Sequence, residues 1–542
     1  MNAWRAAYCL GLLGFVVLPL AMPIGEMFDS AVWDWTPADA ERLVFLATNT
    51  FLLVAGTLAL SLPAGSALAV LLFRTSFPGR AAAILGLIVA LFVPVPIIAS
   101  SWQAMLGPTG LFPVDSWRSA DGRLWTSGMP AAIWLHALAA IPWVAFLVGI
   151  GLAWIEPEAE DEAALIVSPW RVLFLITLPR ARASVLAAAL LVILQTAGEA
   201  SIAELTLVAT LAEEMRTQFA LNNAALGRTM ALALPALALT WIAVMLTLSY
   251  LEKALPPLVA PARMLRPLAF GPDGMRTLMA VSGLGLVLLP LLSLIWKLGL
   301  TGHPGHWDGA TAWNFFQVET RLLGGNLVSS VVTSFATGLA VALIALVGCW
   351  LARERSWFRW MLFGVIAWIW VLPGPVVGMA LHKLFFLLPG GPWKQLLWYG
   401  PSPVPLMWAH ALRGLPIAIV FLWPVVRLIP RELIDTARLG GACAWSEFLH
   451  VIAPTCWRAA LVVALGCAAI GLGEVGASAR VETPGWETFA KGLFDRMHYG
   501  VDNNVSALCL MMLAAIVGVV IVCAGAFLAL GLASRWATPS AK

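Results

Sequence analysis

The sequence predicts an all-α polytopic membrane protein of about twelve transmembrane helices, arranged as two parallel six-helix repeats. Three observations carry that expectation. Of the 542 residues, 61% are hydrophobic and only 11% charged, whereas soluble domains carry about 25% charged residues. Apolar runs of roughly 20 residues, the length a helix needs to cross a bilayer, recur along the chain. Short motifs of the first half return in the second, in the same order and at nearly one spacing. Helices fit these runs because a spanning helix satisfies its own backbone groups in lipid. Barrel strands would need polar alternation, which the runs lack.

The N-terminal stretch MNAWRAAYCLGLLGFVVLPLAMPI places Arg5 before an apolar run. It has no clear A-x-A cleavage site and many spans follow it, so it reads as a retained first helix. The cores expected to span are 4–24, 43–73, 80–102, 130–154, 181–203 and 226–251, then 276–297, 322–351, 358–381, 404–427, 457–478 and 505–534. Spans 43–73 and 322–351 exceed a bilayer's need, so they should tilt or project. Pro94, Pro96, Pro373 and Pro375 should kink or break their spans, as a gate or as a static bend. The first half is 1–255 with a polar loop at 156–180, the linker 256–275, and the second half 276–542 with a polar loop at 429–456.

Positive charge in short loops orients the chain. Arg74 and Arg80, then Arg353, Arg355 and Arg359, then Arg263 and Arg266, and finally Arg431, Arg438 and Arg458 all fall on one side if both termini are cytoplasmic. These arginines sit between spans and form no patch that would grip nucleic acid. The seven cysteines include no CxxC pair. Cys9, Cys349, Cys467, Cys509 and Cys523 lie in apolar runs, with Cys443 and Cys456 at the second loop, and they read as small buried residues without a structural disulfide.

The repeat is visible in three pairs. WLHALAAIP at 134–142 answers WAHALRGLP at 408–416, VPVPII at 93–98 answers LPGPVV at 372–377, and TAGEAS at 196–201 answers GLGEVG at 471–476. An even number of spans per half makes such repeats parallel, related by an axis along the membrane normal. The polar loops are paired as well: EDEAALIVSPWRVLFLITLP at 160–179 answers DTARLGGACAWSEFLHVIAP at 435–454. Gly440 and Gly441 can adopt positive φ and end a helix cheaply. A short helix, CAWSEFLHVI with Trp445, can then lie on the membrane surface, and Pro454 can open the next span. In the first loop Ser168 and Pro169 form an N-cap and N1, ahead of Trp170 and Pro179. An amphipathic connector is the plainer reading of either loop; a lever that passes force into the spans is the other.

These two segments resemble the EAA loop of ABC importer permeases, whose pattern is E-A-A-x3-G-x9-I-x-L-P. Asp435, Ala437, Gly441, Val451 and Pro454 occupy the pattern positions in the second copy, while Thr436 and Ala453 depart from it. In the first copy Glu160, Ile176, Leu178 and Pro179 fit, Ile166 stands where the family has glycine, and the acid-Ala-Ala run is displaced to Glu162, Ala163 and Ala164. The layout resembles the double-length permeases of the ferric-iron and thiamine importers, with a type I importer permease fold. The resemblance implies two copies of an ATP-binding subunit at the cytoplasmic face, which bind ATP and Mg, and an extracytoplasmic (periplasmic) substrate-binding protein. It implies no cofactor in this chain, and a place in the cell inner membrane. TLAEEMRTQFAL at 210–221 and PGWETFAKGLFDRMHYG at 484–500 look most like the iron branch; thiamine or another small solute is the alternative within the class.

Ionisable groups inside spans are functional candidates by default. Glu199 and Glu474 are paired by the repeat at outer span ends; they can line a polar path or be helix-end acids bonded to local backbone. His136 and His410 are also paired, with packing hydrogen bonds as the first reading and pathway contact as the second. Arg413 has only an apolar counterpart in the first half and gives one half a distinct polarity. His303, His306 and Asp308 lie among glycine and proline and read as a turn, with no metal site assigned. No G-x-x-x-x-G-K-[ST] occurs, so hydrolysis of ATP at a P-loop of this chain is not expected. The remaining classes are a secondary transporter with six plus six spans, whose usual charged loop after the second span is missing from RTSFPGR, and a membrane-embedded enzyme, for which no compact catalytic set stands out.

Overall fold

The computed structural model describes residues 2–28, 33, 36–107, 110–112, 126–153, 155, 157–221, 226–254, 272–302, 305–497, 499 and 502–537. Residues 256–271 of the expected linker, and His303, lie outside them. The first half contains α1 (Asn2–Leu12), α2 (Leu18–Glu26), α3 (Pro37–Arg74), α4 (Arg80–Leu91), α5 (Val95–Leu106), α6 (Gly128–Ala153), α7 (Pro157–Ala164), α8 (Pro169–Val172), α9 (Leu178–Arg180), α10 (Arg182–Gly198), α11 (Ser201–Leu205), α12 (Leu211–Leu221) and α13 (Leu226–Ala254). The second contains α14 (Asp273–Leu298), a hairpin of β1 (Leu300–Thr301) and β2 (His306–Trp307), and α15 (Gly309–Ala352). It continues with α16 (Ser356–Val371), α17 (Gly374–Leu387), α18 (Pro392–Lys394), α19 (Val404–Arg427), α20 (Arg431–Leu439), α21 (Ala444–Glu447), α22 (Ala453–Leu472), α23 (Phe489–Met497) and α24 (Asn503–Ala537). Among the described residues nine helices are long and apolar enough to cross a membrane, or up to twelve if each bent pair counts as one span. The chain is an all-α, multi-pass membrane protein.

Two expected spans are broken at prolines by more than 100°. The pair α4–α5 is bent by 106° and α16–α17 by 103°. Pro94 and Pro373 cap the second member of each pair in extended conformation, and Pro96 and Pro375 follow in its first turn. Proline has no N–H to continue the preceding helix but suits the start of a new one. The prolines therefore break the helix and restart it in a new direction.

Proline also shapes the polar loops. Pro179 and Pro454 each follow a five-residue π-helical stretch, Leu173–Thr177 and Phe448–Ile452. The Leu178 and Ala453 N–H groups reach back to the Leu173 and Phe448 carbonyls. The wider turn gives the ring room against the carbonyl one turn earlier. In the second loop the helix runs without a break from Ala444 to Leu472. The expected separate surface helix, with Pro454 opening the span, is therefore corrected: Pro454 is inside a continuous rod. The first loop does break, at Ala181, with a 67° bend.

The N-terminal helix of each half packs on the other half. Phe15 stacks on Trp408 with centroids 5.2 Å apart, and the Trp408 indole N–H donates to the Phe15 carbonyl at 2.8 Å. Conversely α14 lies along α5, where the Ser293 hydroxyl donates to the Ser101 carbonyl at 2.7 Å. Of the cysteines, Cys349, Cys456, Cys467 and Cys509 are buried as expected, but Cys9 is half-buried and Cys443 exposed. All six of these are free thiols.

Close packing of α15 on α22 turns on Gly338, where a Cβ would stand 2.2 Å from the Ala464 carbonyl oxygen. Gly338→Ala should force the rods apart and cost about 1–3 kcal/mol, the usual range for overpacking. Gly285→Ala, at a helical site with nothing within 4 Å, should be neutral or stabilising. Thermal unfolding of the purified chain in detergent separates the two, and equal midpoints would contradict this packing.

Candidate functional site

A cavity of about 1080 Å³ opens between the two halves. Both helix breaks reach it, through Pro94 and Pro96 on one side and Gly374 and Pro375 on the other. Four of the five polar residues singled out as pathway candidates line it: His136, Glu199, Arg413 and Glu474. The fifth, His410, does not.

Glu199 ends α10, and its carboxylate accepts from the Ser201 and Ile202 N–H groups at 2.7 and 2.8 Å, closing the first turn of α11. His136 Nε2 lies 3.6 Å from the same carboxylate, and His136 Nδ1 bonds the Ala132 carbonyl at 2.8 Å. Glu474 accepts from the Ala477 N–H at 2.8 Å. Both acids are thus helix-end groups bonded to local backbone, and both line the cavity.

The second half differs in its cation. Arg413 Nε is 3.7 Å from Glu474, and its Nη1 donates to the Leu372 carbonyl at 3.0 Å. Leu372 immediately precedes the Pro373 break, so Arg413 bonds a carbonyl at a point where the α16–α17 ladder is interrupted. His410 is buried, but neither ring nitrogen has a hydrogen-bond partner. The packing hydrogen bonds expected of it are absent, because Arg413, one turn further along α19, takes the acid. Sequence reasoning missed further charged lining, namely Arg216, Lys491, Glu204 and Asp495, where Arg216 pairs with Glu204 and Lys491 with Glu482. The Arg216 guanidinium lies over the Phe494 ring at 5.1 Å, joining α12 to α23. These two helices belong to the stretches singled out for their resemblance to the iron branch.

The polar loops are anchored differently. In the first, Glu160 is buried, pairs with Arg74 at the end of α3, and accepts from the Thr177 hydroxyl at 2.6 Å. Glu162, Ala164, Ser168, Pro169, Trp170 and Pro179 are exposed and Ala163 half-buried. Ser168 is the N-cap by backbone and Pro169 holds N1, but the Ser168 side chain makes no cap bond. Trp170 stacks on Phe174. Ile166 is not left-handed, since Leu207 is the one non-glycine residue with positive φ among the described residues.

In the second loop Gly441 has φ +84°, as expected, but Gly440 is at −73° and needs no glycine freedom. Asp435, Gly440, Gly441, Trp445 and Pro454 are exposed and Ala437 half-buried. Asp435, the repeat partner of Glu160, anchors nothing. Glu447 does so instead: it is buried, accepts from Arg438 at 2.7 Å and from the Trp350 indole at 3.0 Å. Arg438 also pairs with Glu354, which pairs with Arg5 of α1 at 3.2 Å. Bonds to Glu447 and Glu354 raise the Arg438 pKa. Burial pushes the Glu354 carboxyl up, but Arg438 and Arg5 outweigh it and hold it below the ordinary carboxylate value. Alongside, Trp4 stacks on Trp445 and Trp445 on Phe448, at 5.3 and 5.2 Å. The N-terminal helix therefore braces the second loop.

Among the described residues no group of three or more His, Cys, Asp or Glu converges as metal ligands would; Asp308 instead caps α15 through the Ala310 and Thr311 N–H groups. No protein-family model matches the chain, and no curated protein matches it.

Removing one partner of a buried ion pair strands the other charge, at a cost of about 3–5 kcal/mol. Glu160→Ala, which strands Arg74, should therefore lower the unfolding midpoint well below that of Asp435→Ala, an exposed change expected within about 0.5 kcal/mol of the parent. Similar midpoints for the two variants would show that the loops are anchored alike.

Proposed function

We propose that this chain is the membrane channel of an ATP-driven, binding-protein-dependent importer, built as two parallel six-helix halves. The observation that carries the reading is the pair of polar loops, each a helix, a turn, a π stretch and a proline, set at repeat-equivalent positions. Each loop leads into the helix that ends at Glu199 or Glu474, beside a cavity shared by the halves. A lever and a passage are thereby connected in both halves, across a bend at Ala181 in the first and within one helix in the second. That second-half helix is unbroken over 29 residues, about 43 Å at 1.5 Å per residue.

On this reading ATP and Mg are bound by two external subunits docked on the loops, on the cytoplasmic side with both termini. A substrate-binding protein delivers cargo to the opposite mouth, near Arg216, Phe494 and Lys491. Breaks at Pro94 and Pro373 let irregular backbone line the cavity, where lipid does not reach it. We assign ferric iron as the cargo from the resemblance of α12, α23 and the segment before it to the iron branch. Arg216 and Phe494 bring those two stretches together at the mouth.

The purified chain in liposomes should show neither ATP hydrolysis nor uphill uptake until its ATPase is added; hydrolysis by the chain alone would refute the assignment. Within the assembled transporter, Gly441→Val imposes a β-branched residue at positive φ, costing on the order of 1–2 kcal/mol, and should uncouple ATP hydrolysis from uptake. Ile166→Val should change little. Equal loss in both would make the loops mechanically equivalent. A strain lacking the gene should fail to grow on ferric iron delivered by a periplasmic carrier; normal iron uptake with a thiamine defect would instead assign the alternative cargo.

A further inference from the structure

A second cavity, of about 370 Å³, lies where the ends of α13 and α19 meet the starts of α16 and the second polar loop. Its polar lining is Arg353, Arg359, Arg427 and Arg431 around Glu252, with Trp423 beside them. Glu252 is fully engaged: it accepts from the Trp423 indole at 2.8 Å and pairs with Arg427 at 3.2 Å and Arg359 at 3.5 Å. Four guanidinium groups thus face one carboxylate within the cavity. Arg353 Nη2 donates to the Ile429 carbonyl, while its Nη1 is buried with no hydrogen-bond partner. Burial first, and then the neighbouring Arg431, push the Arg353 pKa down. Glu354 and Glu447 also act on Arg353, but each is held by Arg438.

We infer that this cavity is a binding site for a phosphate group, carried by the headgroup of an acidic phospholipid or free in solution. Planar guanidinium forks match phosphate oxygens two at a time, and several around one concavity select a multiply acceptor anion. Neutralisation of the excess charge and a partner for the orphaned Arg353 donor are what such an anion supplies. A lipid source is favoured by the wall of the site. The α13 span is only 17% buried, and Leu239, Ile242 and Leu246 lie exposed along it, a strip on which acyl chains can lie. Basic pockets between transmembrane helices bind acidic headgroups on the same physical grounds.

The test uses the full chain in vesicles. Thermal unfolding would be compared in phosphatidylcholine alone, in phosphatidylcholine with inorganic phosphate added, and in vesicles containing phosphatidylglycerol; retained lipid would be read by native mass spectrometry. We expect retained phosphatidylglycerol and a raised midpoint, with Arg431→Gln weakening binding by about fivefold, the worth of one basic residue at an acidic surface. Arg431→Lys should keep most of it. Glu252→Gln removes the opposing charge while leaving an amide oxygen for Trp423, and should tighten binding; a purely structural cluster would not respond in that direction. Stabilisation by inorganic phosphate with no lipid retained would support the site with a soluble anion as its source. No response to either phosphate source, or unchanged retention in Arg431→Gln and Glu252→Gln alike, would overturn it. Protection of these arginines by an added ATPase subunit alone would also overturn it, since the cluster would then serve acidic side chains of a partner.

Discussion

The rest of the structure depends on one constraint: backbone carbonyls and N–H groups within a membrane must find partners inside the protein. A chain that breaks two of its spans by more than 100° must put those breaks where protein or water, not lipid, surrounds them. Both breaks therefore face the space between the halves, and both become cavity lining. The constraint also explains why Arg413 is where it is. It sits on α19 within reach of the Leu372 carbonyl at the broken end of α16, and of Glu474 across the cavity. One cation thus serves the broken backbone and the cavity-lining acid together.

The exchange of N-terminal helices follows the same economy. A broken span leaves a flank that its own half does not cover, and the first helix of the other half lies there: α14 against α5, and α2 against α17. The halves are consequently interlocked through their cores, and motion of one must be felt by the other. Interiors packed to the tolerance seen at Gly338 pass displacement on as rigid bodies do.

The loops show how one architecture accommodates unequal anchors. Glu160 fastens the first loop inward to Arg74, beneath a helix that bends at Ala181. In the second loop Asp435 is released to the surface, and Glu447, Arg438, Glu354 and Arg5 tie the turn to α1, beside the stack of Trp4, Trp445 and Phe448. The first loop leads into a helix bent at Ala181 and is held from its own half. The second is part of a helix unbroken from Ala444 to Leu472 and is held by the opposite half's first helix.

By itself the sequence determined the membrane class, the helical content, most span limits and the positions of the two proline breaks, because apolar length and proline act locally and need no tertiary partner. It also located Gly441 as the left-handed turn and Glu199 and Glu474 as cavity residues, since an acid at a span end has few places to go. Which groups pair was decided by the tertiary structure. His410 and Arg413 lie three residues apart on one helix, and only the direction of each side chain shows that Arg413, not the repeat partner of His136, meets the acid. Glu160 and Asp435 occupy matching positions with opposite burial, because Arg74 waits beneath one and nothing beneath the other. The arginine cluster around Glu252 draws on residues from four separate elements, and proximity of that kind leaves no pattern along a chain.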